Sequence, residues 1–271
     1  MRPTTQRLGL ALVVALAGTA WAQGAKPLKK CAPDAVIAGT VCMDTYEASV
    51  WRVPDPLGAN KGLVKKIREG KANFDQLTDG GATQLGTASD NYAPCANNGQ
   101  NCSDDIYALS LPGVTPARFI TWFQAQAACK NARKRLPSNA EWQAAVIGTP
   151  DPGPDDDVSD CRTGGGVVGG PVATGSRSSC VSADGVFDMV GNLWEWVAEW
   201  VPRSTNFASW SAGVSPMGNL QGLAGAETTG EPGALLRGGT FSNGQNTGPL
   251  TIAGTSEPSA ADSFTGFRCA R

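Results

Sequence analysis

Apolar and polar residues partly alternate along residues 41–50, from Val41 to Val50, with the period of a strand that has one covered face. A helical period follows later in the chain. Thr121-Trp122-Phe123-Gln124 has the T-x-x-Q form, in which a threonine hydroxyl and a glutamine side chain each satisfy the other residue's backbone amide. Trp122, Ala125, Cys129 and Ala132 then fall on one helical face. Ser138-Asn139-Ala140-Glu141 repeats the device and predicts a short helix with Trp142, Ala145 and Val146 on its buried side. Pro137 keeps the two helices separate, because the residue before a proline is pushed out of the helical region. Residues 235–241 predict a strand running into a turn, and residues 266–271 a last strand. Residues 78–112 are rich in Gly, Asn, Asp, Ser and Thr and predict a long surface loop pinned by Cys95 and Cys102. The aspartates at 151, 155, 156 and 157 stand among Pro and Gly and predict a solvated acidic loop, with a calcium loop as the alternative.

The N-terminus carries Arg2 and Arg7, then an apolar run over residues 8–18, then Ala20-Trp21-Ala22. A charged head, a short apolar stretch and an A-x-A site are the parts of a signal peptide, here residues 1–22. The run is about half the roughly 20 residues that cross a bilayer, so the chain is expected to be exported, periplasmic or extracellular, and not membrane-spanning. Residues 23–40 are expected to hold a polar linker and, from Cys31, the start of the fold; residues 41–271 are expected to form the main domain.

Removing Arg2 and Arg7 takes the formal charge from −2 to −4, and no basic stripe points to nucleic acid. With 34 glycines and 18 prolines, the elements are expected to be short and the loops long. Eight cysteines in an exported chain read as disulfides. Cys31 lies near Cys42, Cys95 near Cys102 and Cys161 near Cys180, which leaves Cys129 and Cys269; counting alone does not choose among the possible connectivities. The chain has no histidine, which excludes serine-histidine triads, cysteine-histidine dyads and histidine-ligated zinc or iron.

Four segments in order carry a resemblance. They are residues 44–49 (Asp-Thr-Tyr-Glu-Ala-Ser), residues 119–142 with Lys134-Arg135-Leu136-Pro137 and Glu141-Trp142, residues 185–196 (Gly-Val-Phe-Asp-Met-Val-Gly-Asn-Leu-Trp-Glu-Trp), and Arg237-Gly238-Gly239-Thr240-Phe241 with the closing Gly266-Phe267-Arg268-Cys269. Together they resemble the formylglycine-generating-enzyme, or sulfatase-modifying-factor, family. The resemblance implies one α+β domain with a variant C-type-lectin-like fold, low in regular structure, and a disulfide between Cys129 and Cys269. It also implies calcium on Asp188, Gly191, Leu193 and Glu195, where carboxylate and carbonyl oxygens suit a hard cation. The alternative for these four is a turn cap and core filling by the neighbouring tryptophans. The family's other calcium site has no match in residues 164–183.

The family's enzymes carry two copper-binding cysteines after the arginine-glycine-glycine turn. Those positions fall on Asn243 and Gly248, an amide and a hydrogen in place of two soft thiolates, so no copper is expected. The leading expectation is a non-catalytic binding module with a peptide, protein or glycan ligand. An enzyme with different chemistry would need acids and tyrosines in a groove beside Asn243, and a structural envelope component would have no concavity there. A shared fold does not by itself carry an activity.

Overall fold

A computed structural model describes residues 30–151, 155–164, 169–211, 218–224 and 231–271; the signal-peptide reading and most of the linker lie outside the described residues. The strand expected over residues 41–50 is two strands. β1 (Ala35–Ala38) and β2 (Val41–Asp44) form an antiparallel pair, and β3 (Ala48–Arg52) belongs to another sheet. The break falls where Thr45 N–H donates to the Asp34 carbonyl and Tyr46 N–H to the Ser110 hydroxyl, turning Glu47 into the interior.

The expected loop over residues 78–112 also contains regular structure. β4 (Thr83–Leu85) and β5 (Ile106–Ser110) flank β3 in a three-stranded antiparallel sheet. All five residues of β5 are buried, so the strand shows no alternation and its short apolar run is masked by the polar sequence before it. Two helices that the sequence pattern does not predict, α1 (Lys61–Arg68) and α2 (Phe74–Asp79), lie between β3 and β4, and α1 buries Leu63, Val64 and Ile67 at helical spacing.

Both helices with capping boxes form as their caps dictate. In α3 (Trp122–Asn131) the Thr121 hydroxyl accepts from Gln124 N–H, and Gln124 Oε1 accepts from Thr121 N–H. In α4 (Asn139–Ala145) Ser138 and Glu141 do the same, and Trp142, Ala145 and Val146 are buried. The C-terminal half supplies a six-stranded mixed sheet in the order β11-β6-β9-β10-β8-β7, comprising β6 (Trp194–Pro202), β7 (Asn206–Ser209), β8 (Leu220–Ala224), β9 (Pro232–Arg237), β10 (Ile252–Ser256) and β11 (Thr265–Phe267). The fold is therefore α+β with short elements. Its four disulfides join Cys31 to Cys42, Cys95 to Cys102, Cys129 to Cys269 and Cys161 to Cys180.

The end of the chain closes the start of the fold. Cys42 and Arg271 exchange backbone hydrogen bonds, Asp44 N–H donates to the Cys269 carbonyl, and Cys269 ties α3 to the segment after β11. Lys134, whose side chain is fully buried, lies 2.6 Å from Asp34 and 2.7 Å from Asp44. Burial pushes the Asp44 carboxyl up to about 6 against the pull of Lys134; burial also works on Asp34, but Lys134 and Arg271 hold it below its usual range.

The acidic loop is exposed at Asp151, Asp156 and Asp157, as expected, and departs from a solvated segment at one residue. Asp155 is buried, 3.3 Å from Arg162 and 3.6 Å from Arg177, and accepts the backbone N–H groups of Thr163 and Gly164. Arginine, drawn in from the cysteine-closed segment, holds this carboxylate, because an inward-facing acid needs a partner charge.

Candidate functional site

β9 delivers the chain into Gly238 and Gly239, whose φ angles are 87° and 83°. A Cβ on Gly239 would lie 2.5 Å from the Thr247 side chain, so the turn requires glycine there. The chain then reaches Asn243 through a closed loop. Thr240 N–H donates to Asn243 Oδ1 at 3.1 Å, and Asn243 N–H to the Thr240 carbonyl at 3.1 Å. The Thr240 hydroxyl donates to the Asn192 carbonyl and so fixes this loop on the segment that leads into β6. A single 3-10 turn, Gly244–Asn246, carries the chain on to Gly248.

Gly248 is packed rather than bent. Its φ of 158° is close to extended backbone, but a Cβ would lie 2.2 Å from the Asn219 amide. Asn219 is fully buried and held by Asp151, the Thr247 carbonyl and Leu250 N–H. The position that the resemblance assigns to a thiol is therefore filled by a neighbouring amide.

Asn243 borders a concave cleft of about 250 Å³. Thr240, Ser242 and Asn243 form one rim; Trp194, Leu236 and Ala253 come from β6, β9 and β10; Asp262, Phe264 and Thr265 line it from the chain entering β11. Phe264 stacks on Phe241 at 5.2 Å, which stiffens the aromatic wall. Among the described residues, the Trp194 indole N–H, the Asn243 side-chain NH2 and the Thr265 hydroxyl make no hydrogen bond within the protein. Three residues that line one hollow thus each keep a donor that no other described residue uses. Its one acid, Asp262, accepts from Phe264 N–H, and no tyrosine lines it. Trp194, Asp262 and Thr265 were absent from the sequence-derived site because nothing in their spacing marks a cleft; only the parallel pairing of β11 with β6 brings them together.

Behind the cleft lies a buried charged network. Arg268 Nε donates to both oxygens of Glu195 at 2.9 and 2.8 Å, and Nη2 to Oε1 at 2.6 Å; Trp142 Nε1 donates to Oε2 at 2.7 Å. Glu47 accepts from Leu193 N–H at 3.1 Å and from the Asn192 side-chain amide. Asp188 Oδ2 accepts from Gly175 N–H at 2.7 Å. Arg268 is thus paired with Glu195, and its charge reaches Glu47 and Asp188 only at longer range. Burial, then the charges of Asp188 and Glu195, push Glu47 well above the carboxylate range, and burial pushes Asp188 up to about 6.

Of the positions assigned to calcium, Glu195 has both oxygens occupied by N–H donors, and Asp188 has one oxygen on a backbone amide. Among the described residues, no three Asp, Glu, His or Cys side chains group to hold a metal ion. As placed, the Glu195 side chain is taken up by N–H donors, which leaves Asp188 as the carboxylate of this set with an oxygen to offer a cation. All eight cysteines are in disulfides, so the cleft holds no thiol.

In comparison with known proteins, residues 92–271 match the Sulfatase-modifying factor enzyme 1-like domain. The Serine/threonine-protein kinase pkn1 of Chlamydia pneumoniae is 27% identical over 168 residues, covering 58% of this chain and 24% of that protein. Pkn1 of Chlamydia trachomatis serovar L2 is 27% identical over 173 residues, with the same coverage. The chain thus spans only 24% of the length of these curated relatives. Among solved structures, the Major Tropism Determinant P3c variant is similar with a TM-score of 0.45 at 20% identity, covering 87% of this chain and 51% of that one. CarF is similar with a TM-score of 0.36 at 17% identity, covering 58% and 67%.

Proposed function

From the premise that the chain belongs to the sulfatase-modifying factor enzyme 1-like domain family, we propose that it is an exported, non-catalytic binding module whose ligand occupies the cleft beside Asn243. The observation that carries this reading is the convergence of Trp194, Asn243 and Thr265, each with an unused polar group, on a hollow that contains no thiol. Asn243 and Gly248 stand at the positions of the family's copper-binding cysteines. An amide oxygen is a hard neutral donor and glycine has no side chain, whereas Cu(I) selects soft thiolates.

Acid-base chemistry has little support here, since a lone carboxylate already engaged by Phe264 N–H leaves no acid-base pair. The ligand class that suits the cleft is neutral and rich in hydroxyl or amide groups, as in a glycan or a peptide. Four disulfides are consistent with export, and no helix among the described residues is long and apolar enough to cross a membrane.

The test combines two measurements. Incubation of copper-loaded protein with a cysteine-containing sulfatase peptide, read by mass spectrometry, is expected to give no formylglycine; a formylglycine product overturns the non-catalytic reading. Screening the protein against peptide and glycan arrays is expected to find a ligand that binds more weakly to Trp194→Phe, which loses the indole N–H but keeps the ring. Binding unchanged in that variant would place the ligand elsewhere.

A further inference from the structure

On α1, far in sequence from Asn243, lies a larger cavity of about 640 Å³. Lys61, Lys65, Arg68 and Arg133 line it, with Glu69 as the one acid. Glu69 is held by Lys71 at 2.9 Å and lies 3.9 Å from Lys65, so one acid faces four cations across the cavity. Arg68 is anchored by Asp104 at 3.0 Å and by the Asn131 carbonyl, so its position is fixed before any ligand arrives. Among the described residues, Lys61 and Arg133 have no ion-pair partner. In a chain of formal charge −2, this is a local excess of positive charge in a concave place, where field lines concentrate.

Two local choices run against stability and in favour of an anion. The first turn of α1 has no acidic residue and carries Lys61, although the positive end of a helix dipole favours acids. Its N-cap residue, Asn60, makes no side-chain hydrogen bond to the helix amides, because its own amide is turned to the Pro54 and Gly80 carbonyls.

The second choice is at Arg133, which follows α3 with φ of 58°. Lys134 N–H donates to the Cys129 carbonyl and Arg133 N–H to the Lys130 carbonyl, the bond pair of a helix end whose left-handed residue is usually glycine. The chain holds an arginine there, and this arginine lines the cavity without an ion-pair partner among the described residues. Pro56, Leu57 and Val64 add apolar surface, which suits an organic scaffold rather than a bare ion.

We propose that this cavity binds an organic anion carrying phosphate or sulfate ester groups, with Lys61, Lys65, Arg68 and Arg133 as the charge-bearing contacts. The Arg133 guanidinium can pair such an oxyanion through two parallel hydrogen bonds, while Arg68, whose Nε and Nη2 are engaged, and the lysines add positive charge. The reading is independent of the cleft beside Asn243.

Calorimetric titration of the full chain with inositol hexakisphosphate and with sucrose octasulfate tests it, alongside sedimentation with phosphatidylglycerol vesicles. The expected result is saturable binding to the soluble esters that weakens with added salt and falls roughly tenfold or more in the double variant Lys61→Gln, Arg133→Gly. Arg133→Gly alone is expected to weaken binding while raising the melting temperature, since glycine accepts the left-handed backbone; a merely structural arginine would not give that split. Binding only to vesicles, and lost in the double variant, would assign the ester to a lipid headgroup and support the proposal. No binding to either probe, binding that survives the double variant, or a lower melting temperature for Arg133→Gly would overturn it.

Discussion

Arg268 and Glu195 are joined by hydrogen bonds to both carboxylate oxygens, and the two residues are 73 positions apart and almost wholly excluded from water. Arg268 Nη1 and Nη2 also donate to the Asp44 and Phe187 carbonyls, so one guanidinium gathers three segments of the family-like sequence.

Removing one member of such a pair leaves the other as an uncompensated buried charge. Glu195→Ala is expected to cost about 3–5 kcal/mol, most of it from the stranded Arg268. Urea unfolding of the two proteins measures the difference; a loss below about 1 kcal/mol would mean that water reaches Arg268.

Asp188 gives a pH dependence of defined sign. Its folded-state value of about 6 lies above the ordinary 3.8, so the folded protein binds the extra proton. Its contribution to stability is therefore fully present below about pH 4 and is lost as pH rises through about 6. Asp188→Asn keeps an acceptor for Gly175 N–H and removes the charge. The variant is expected to match the wild type near pH 4 and to exceed it by up to about 3 kcal/mol at pH 7. Paired unfolding curves at the two pH values read this directly.

Calcium is the cation that the resemblance assigns to Asp188, Gly191, Leu193 and Glu195, yet Arg268 and Trp142 already occupy Glu195. Melting curves with and without a chelator are accordingly expected to coincide. A lower melting temperature in chelator that is abolished in Asp188→Ala would show that Glu195 releases its arginine for a metal, by mass action on the folded state.

Local chemistry made parts of this architecture legible. Thr121 with Gln124 and Ser138 with Glu141 announce their helices because a capping box is satisfied within four residues. α1 carries a helical spacing of Leu63, Val64 and Ile67, but the lysines between them dilute the apolar pattern that would announce it. β5 was hidden because complete burial removes the alternation that marks a half-exposed strand. The cleft was the least legible part. Asn243 was visible through the motif around it, but Trp194 and Thr265 meet it only through the pairing of β11 with β6. At Gly248 the obstacle to a side chain is Asn219 rather than a left-handed backbone, a contact across 29 residues that no local pattern encodes.

The backbone bonds between Cys42 and Arg271 set an order of events for a chain that is made from its N-terminus. Until residues 268–271 emerge, Glu195 lacks its arginine, β2 its C-terminal neighbour and Cys129 its partner. A nascent chain stalled before that point holds Cys129 as an open thiol beside the earlier cysteines. Residues 268–271 thus serve as a latch, and its closure removes the Cys129 thiol, a chemical difference between a chain synthesised past this point and one stopped before it.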